Sequence, residues 1–232
     1  MKKNIKKNKI DPKKFWDNKI LIWEENRYSK LFKEYKPLEF LARNASNSLR
    51  FRLEITLKIL SKKIKGKKII EFGCGSGLLS EKLINLGAKE YTGYDISEKA
   101  IYNANLKSQK STFSKSISFK QGDIKSIESI DADIFFSLGL TDWLDNNELE
   151  KLFKLSSERD YLHSFSEKRN SLENIFHRSY VFLAYGYKSG SYIPRYFHIN
   201  DLKNIAIKFN SKKTYSYRNK KLSFGTLIST IS

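Results

Sequence analysis

Cysteine is almost missing from this chain of 232 residues: Cys74 is the only one. A single thiol excludes an internal disulfide framework and a zinc-ribbon site, and it is the usage expected of a reducing, cytoplasmic setting. No apolar run approaches the roughly eighteen residues that a membrane span requires, so no span is expected. The N-terminus, MKKNIKKNKIDPKK, is basic but has no apolar segment behind it, and it is not expected to act as a secretory signal. Histidine is scarce as well, with three in the chain. Asp142 and Asp145 flank Trp143 and Leu144 without a clear third ligand, so no metal is expected. Proline is limited to three residues, and 40% of the chain is apolar with abundant Phe and Tyr. That is a globular composition, long enough to bury a sizeable core.

What the chain has in excess is positive charge: 44 Lys+Arg against 25 Asp+Glu, a net +19. Such a field suggests a polyanionic partner, nucleic acid first. Its location weakens the suggestion. Residues 1–14 carry +6, residues 61–68 carry +5 and residues 201–221 carry +6, which leaves only +2 elsewhere. None of the three stretches falls on a segment that carries chemistry. A small-molecule partner is therefore expected over a nucleic acid, and the oligomeric state is left open.

Residues 1–14 are expected to be a flexible basic tail. Residues 15–63 form a helical extension or lid, rich in aromatics from Phe15 to Tyr35. Within it, residues 49–60 alternate well enough for a strand. Helical spacing of Leu49, Leu53, Leu57, Leu60 and Ile64, with Ser48 as N-cap, favours a helix. Residues 64–232 alternate strands and helices. Strands are expected at Lys68–Phe72, Tyr91–Ile96, Ser116–Gln121, Asp133–Leu138 and Tyr161–Phe165. Helices are expected at 78–88, 97–109, 145–156, 171–185 and 199–209, and a closing β-hairpin from Thr214. Repeated β-α units imply an α/β three-layer sandwich of the Rossmann-like kind. Its sheet should have seven mostly parallel strands, with the antiparallel hairpin at its end.

The segment Glu71-Phe72-Gly73-Cys74-Gly75-Ser76-Gly77 joins a strand to a helix through a glycine-rich turn, the arrangement of a nucleotide site. The dinucleotide fingerprint is G-x-G-x-x-G, whereas these glycines alternate as G-x-G-x-G, and Leu78 stands where the third would fall. Glu71, two residues before the first glycine, would repel a pyrophosphate but suit a cationic ligand with an amino-acid head.

On these residues the chain resembles the class I S-adenosylmethionine-dependent methyltransferases over roughly residues 64 to 232. Their first motif, an acidic residue followed after one position by G-x-G-x-G, is matched from Glu71 through Gly77, with Cys74 inside the loop. The resemblance implies S-adenosylmethionine as cofactor. It implies further that Asp95, followed by Ile96, accepts the ribose hydroxyls at the end of the second strand. Asp123 would take the adenine amino group and the Ile124 N–H would approach the ring, while Leu138 would line the methionine part. The cofactor's sulfonium makes the methyl carbon electrophilic, so the protein's work reduces to positioning and at most one base.

For the acceptor side, the loop Gly139-Leu140-Thr141-Asp142-Trp143-Leu144 has no proline, unlike the Asn/Asp-Pro-Pro tetrad of the family's adenine-methylating members. His163, near the exit of the fifth strand, is the candidate general base, with a structural histidine as the equal alternative. Arg195 could hold an anionic substrate group or stack on Tyr196. His177 reads as packing or surface. The Cys74 thiol is expected to face the sheet and not to act as a nucleophile. The layout is similar to the small-molecule O-methyltransferase branch, including the ubiquinone-pathway and magnesium-protoporphyrin enzymes. The implied reaction is methylation of a hydroxyl on a metabolite, sugar or lipid-linked acceptor. A nucleic-acid methyltransferase and a non-catalytic cofactor-binding module are the alternatives.

Overall fold

The computed structural model describes residues 10–28, 36–169, 192–223 and 225–232. Two helices lead, α1 (Pro12–Tyr28) and α2 (Lys36–Leu60). The core then alternates β1 (Lys68–Phe72), α3 (Ser80–Asn85), β2 (Glu90–Asp95), α4 (Glu98–Gln109), β3 (Ile117–Gln121), β4 (Ile134–Leu138), α5 (Asn146–Leu155) and β5 (Asp160–Ser166). After β5 come α6 (Ile199–Phe209), β6 (Tyr215–Tyr217) and β7 (Gly225–Ser229). The expected helix at 171–185, with His177, lies outside the described residues, as does Tyr35.

The strands form one seven-stranded sheet in the order β3-β2-β1-β4-β5-β7-β6. The first five are parallel, and β7 inserts antiparallel between β5 and β6. The order reverses between β1 and β4, which start in opposite directions from the centre. In open parallel sheets the crevice beyond the carboxyl ends at such a point takes the ligand.

Period-2 alternation sends the two strand faces into two cores. Ile69, Tyr91, Phe119, Phe136 and Leu162 pack with Leu60, Leu79, Leu83 and Ile101 on one side. Ile70, Phe72, Phe135, Tyr161 and Phe165 pack with Leu149, Leu152, Leu202 and Ala206 on the other. That is the expected three-layer sandwich. Each fully buried large side chain contributes roughly 1.5–3 kcal/mol.

Three local expectations are corrected. Helix α2 runs unbroken from Lys36, so Ser48 is no N-cap: it lies inside the helix and is buried. A helix that starts twelve residues upstream has no orphan amides at position 48 to cap. The helix expected over 78–88 is regular only over Ser80–Asn85, because the glycine turn extends through residue 79. Helix α1 begins at Pro12, a residue pre-set for the first helical turn, so residues 12–14 of the expected tail are helical.

The basic stretch at 61–68 is spent at the far end of the sheet from the crevice. Lys63 pairs with Asp160, Lys67 with Asp133 and Lys68 with Asp131, all at the amino ends of β1, β4 and β5. Among the described residues no helix is long and apolar enough to cross a membrane.

Candidate cofactor site

A cavity of about 930 Å³ opens beyond the carboxyl ends of β1, β2 and β4 and is covered by α1 and α2. Its floor is the glycine loop. Gly73, Gly75 and Gly77 all adopt positive φ, and the first two line the cavity. Gly77 lies underneath: a side chain there would overlap the Phe119 ring on β3. Its expected contact with the cofactor is thus replaced by a packing role between loop and sheet. Cys74 is buried, and its Sγ would meet any side chain at Gly93 of β2, so the thiol faces the sheet. Burial holds that thiol well above its ordinary pKa, which leaves it an inert packing group.

Glu71 and Asp95 reach the cavity from neighbouring strands. Asp95 Oδ2 accepts the Gly75 N–H at 2.8 Å and Oδ1 accepts the Ser97 N–H at 2.9 Å. An ionised carboxylate has about four acceptor positions, so two remain for ligand hydroxyls. Burial raises the Asp95 pKa against those two amides. Glu71 is 5% exposed and accepts a hydrogen bond from Tyr91 Oη at 2.5 Å. Burial pushes its pKa up to about 8, because the phenol is a neutral partner.

Asp123 caps the 3-10 turn Ile124–Ser126 by accepting the Lys125 N–H, and Asp123, Ile124, Ile96 and Leu138 all line the cavity. Every residue expected to hold the cofactor is therefore gathered at one cavity except Gly77.

The structure does not bring His163 there. It shares the buried strand face of Tyr161 and Phe165, stacks on the Tyr161 ring at 5.3 Å and shares a hydrogen bond of 2.9 Å between Nδ1 and Ser137 Oγ. It is fully buried and absent from the cavity lining, and burial lowers its pKa to about 3. The expected base at the strand exit is corrected to a neutral core histidine. The reason is parity, since positions 161, 163 and 165 point the same way into the α5–α6 layer.

Sequence reasoning missed two side chains. Arg52 of α2 crosses the end of β4: its guanidinium lies 3.1 Å from where a Cβ on Gly139 would stand. Among the described residues its Nη atoms make only long contacts of 3.5 Å, to Ser164 Oγ and Tyr28 Oη, and its buried Nε has no partner. An underpaired, half-buried cation in a cavity is a site for a ligand carboxylate. Glu24 of α1 is 8% exposed, and its Oε1 accepts the Ser76 N–H at 2.9 Å. No spacing motif marks either residue.

Arg195 lines the cavity but is occupied. It stacks on Phe197 at 4.8 Å and donates to the Leu144 carbonyl and to Asn146 Oδ1. Asp142 also lines the cavity, and both its oxygens accept from Ser166 at 2.7 Å. Burial lifts its pKa to about 6. Over this part of the cavity Phe15, Trp16, Trp143 and Tyr192 close in edge-to-face and tilted contacts, with centroids 4.8 to 5.6 Å apart. Among the described residues lining the cavity, eight are acidic and three basic, the reverse of the chain's +19.

Residues 63–177 match the sequence model of a family described as "Methyltransferase domain". Among curated relatives, a ribosomal protein L11 methyltransferase of Mannheimia succiniciproducens is 53% identical over 38 residues, 16% of this chain and 13% of that protein. A ubiquinone biosynthesis O-methyltransferase of Thiobacillus denitrificans is 40% identical over 73 residues, 32% of this chain and 27% of that protein. The chain thus matches well under two thirds of the length of these relatives. In overall fold it is similar to magnesium protoporphyrin IX methyltransferase from Synechocystis PCC 6803 with bound SAH. That likeness has a TM-score of 0.71 at 16% identity and covers 94% of this chain and 96% of the other. With that family match, the glycine loop and the acidic positions assembled at one cavity, residues 63–177 of this chain belong to the class I S-adenosylmethionine-dependent methyltransferases.

Proposed function

We propose that this protein transfers a methyl group from S-adenosylmethionine to a hydroxyl of a small molecule bound under α1. One observation carries the small-molecule reading. The cavity is roofed by two helices and lined by eight acidic and three basic residues among those described, so it opposes a polyanion while suiting a cationic cofactor. The names of the relatives do not choose an acceptor, since a ribosomal protein and a ubiquinone pathway stand side by side.

The residues fit the cofactor group by group. Asp95 keeps free acceptor positions for the ribose hydroxyls, Asp123 faces the adenine end and Leu138 lines the methionine part. The unpartnered Arg52 Nε and weakly engaged Nη atoms meet the cofactor carboxylate. When bound, the sulfonium supplies the electrophilic methyl, and the protein's contribution is alignment in a site from which α1 excludes water. Asp142 takes the hydroxyl proton as the new bond forms. It faces the cavity, titrates near neutrality and is held rigid by Ser166.

Thermal unfolding with S-adenosylhomocysteine, followed by an acceptor screen with labelled methyl donor, tests this reading. A ligand present at a hundred times its Kd stabilises by about 2.7 kcal/mol. The midpoint is expected to rise and label to enter hydroxylated metabolites. No shift at millimolar ligand would overturn the cofactor assignment. Transfer to RNA alone would overturn the acceptor class.

A further inference from the structure

The amides at the head of the glycine loop are already taken by the protein's own carboxylates. Gly75 N–H donates to Asp95 at 2.8 Å and Ser76 N–H donates to Glu24 at 2.9 Å. A glycine loop with free amides is an anion cradle, best filled by phosphate. In this loop the donors are answered from within, and the charge facing the ligand is negative.

Glu24 reaches the loop from α1, 52 residues before Ser76 in the chain. It can do so because position 75 has no side chain: a Cβ there would fall on Glu24 Oε1, with Ile20 Cδ1 close behind at 3.7 Å. The loop and the helix are therefore shaped to each other around a carboxylate.

Among the described residues no cation pairs directly with Glu24. Lys107 Nζ is bound to Ser76 Oγ at 2.9 Å, so it attracts Glu24 only across that hydroxyl. Arg52 reaches Ser164 and Tyr28. Burial, opposed in part by Ser76 and Lys107 and reinforced by Asp95, holds the Glu24 carboxyl above its usual range. A buried carboxylate so weakly paired is costly until a cation joins it.

We infer that Glu24 strengthens binding of the positively charged sulfonium cofactor relative to its neutral thioether product. The inference rests on the cofactor reading above. S-adenosylmethionine and S-adenosylhomocysteine share every group that Asp95, Asp123 and Arg52 would hold. They differ by one methyl and one positive charge. A carboxylate in the cavity adds an attraction that depends on the ligand's positive charge, and Glu24 brings one from α1 that is not assigned to the ribose, the adenine or the acceptor. Favouring the charged donor also eases release of the spent cofactor after each turnover.

The test is calorimetric binding of both ligands to the full chain and to Glu24→Gln and Glu24→Asp. Glutamine keeps an acceptor for the Ser76 N–H and removes the charge, while aspartate keeps the charge. The expected result is that Glu24→Gln weakens S-adenosylmethionine about five- to tenfold, as the loss of one partly screened charge from the same cavity implies. Binding of S-adenosylhomocysteine should stay within about twofold, and Glu24→Asp should retain most of the preference. Equal loss for both ligands would make Glu24 a structural prop and overturn the inference, as would an unchanged ratio. If the unaltered chain binds neither ligand, the cofactor reading fails first, a result distinct from either.

Discussion

Tyr91 Oη and Glu71 Oε2 meet at 2.5 Å between adjacent parallel strands, both side chains buried beneath the glycine loop. The phenol supplies a proton donor but no charge. It cannot offset the desolvation of a carboxylate, so Glu71 is held at about 8 and is mostly protonated at neutral pH. The acidic residue of the family's first motif is in this chain a largely neutral carboxyl at the floor of the site.

A pH dependence of stability follows. Glu71 titrates near 4.5 when unfolded and about 8 when folded, so between those values the folded state binds the extra proton. Its contribution is present below about pH 4.5 and is lost as pH rises through 8, at no more than about 1.4 kcal/mol per pH unit. Urea midpoints at pH 6 and pH 9 should therefore differ more in the unaltered chain than in Glu71→Gln. Equal differences would place the titration elsewhere.

Gly75→Ala should cost more than its backbone strain. Both Gly66 and Gly75 have positive φ, but a side chain at Gly66 meets nothing within 4 Å while one at Gly75 falls on Glu24. Gly66→Ala then reports the conformational cost alone, about 1–2 kcal/mol. Gly75→Ala should exceed it and loosen α1, readable as faster proteolysis within residues 12–28.

Arg52→Met should separate stability from binding. The arginine is half-buried and its Nε is buried without a partner among the described residues, so removing its charge should leave the thermal midpoint unchanged or higher. Affinity for S-adenosylhomocysteine should fall at least about tenfold through loss of a charge-assisted pair. A large drop in midpoint with unchanged affinity would show that Arg52 serves the fold and not the cofactor.

Much of this site was legible in the sequence because it is local. The strand, the alternating glycines and Asp95 lie within 28 residues of chain, and their spacing alone puts them at one crevice. Glu24 and Arg52 were not legible, since each sits singly on a helix whose docking across the loop is a tertiary contact. His163 shows a different failure. Its residue type fits a base, but Tyr161 and Phe165 two positions to either side already marked its strand face as apolar. Reading the period-2 pattern of YLHSF ahead of its chemistry would have sent the histidine inward.

His163→Gln follows from that position. The native histidine is forced neutral, with its pKa lowered to about 3 by burial against 6.5 when exposed. The unfolded chain binds the extra proton between those values, so stability is lost as pH falls from about 6.5 towards 3. Glutamine can still partner Ser137 and does not titrate. The variant should thus flatten acid unfolding over that range while methyl transfer stays within about twofold of the unaltered rate, the result expected of a group outside the cavity. Loss of transfer with cofactor affinity intact would return His163 to the reaction.

Asp142→Asn tests the base in its place. Asparagine can accept the Ser166 N–H through its carbonyl oxygen and donate its amide to Ser166 Oγ, so the two contacts that fix the loop after β4 survive. Only the ability to take a proton is lost. Because Asp142 titrates near 6, the rate of the unaltered protein should rise with pH through about 6 as the carboxylate ionises. In Asp142→Asn that limb should vanish, kcat should drop about a hundredfold or more, and S-adenosylhomocysteine affinity should hold within about twofold. A drop in rate that keeps the limb would assign the titration to another group and leave Asp142 as the anchor of Ser166.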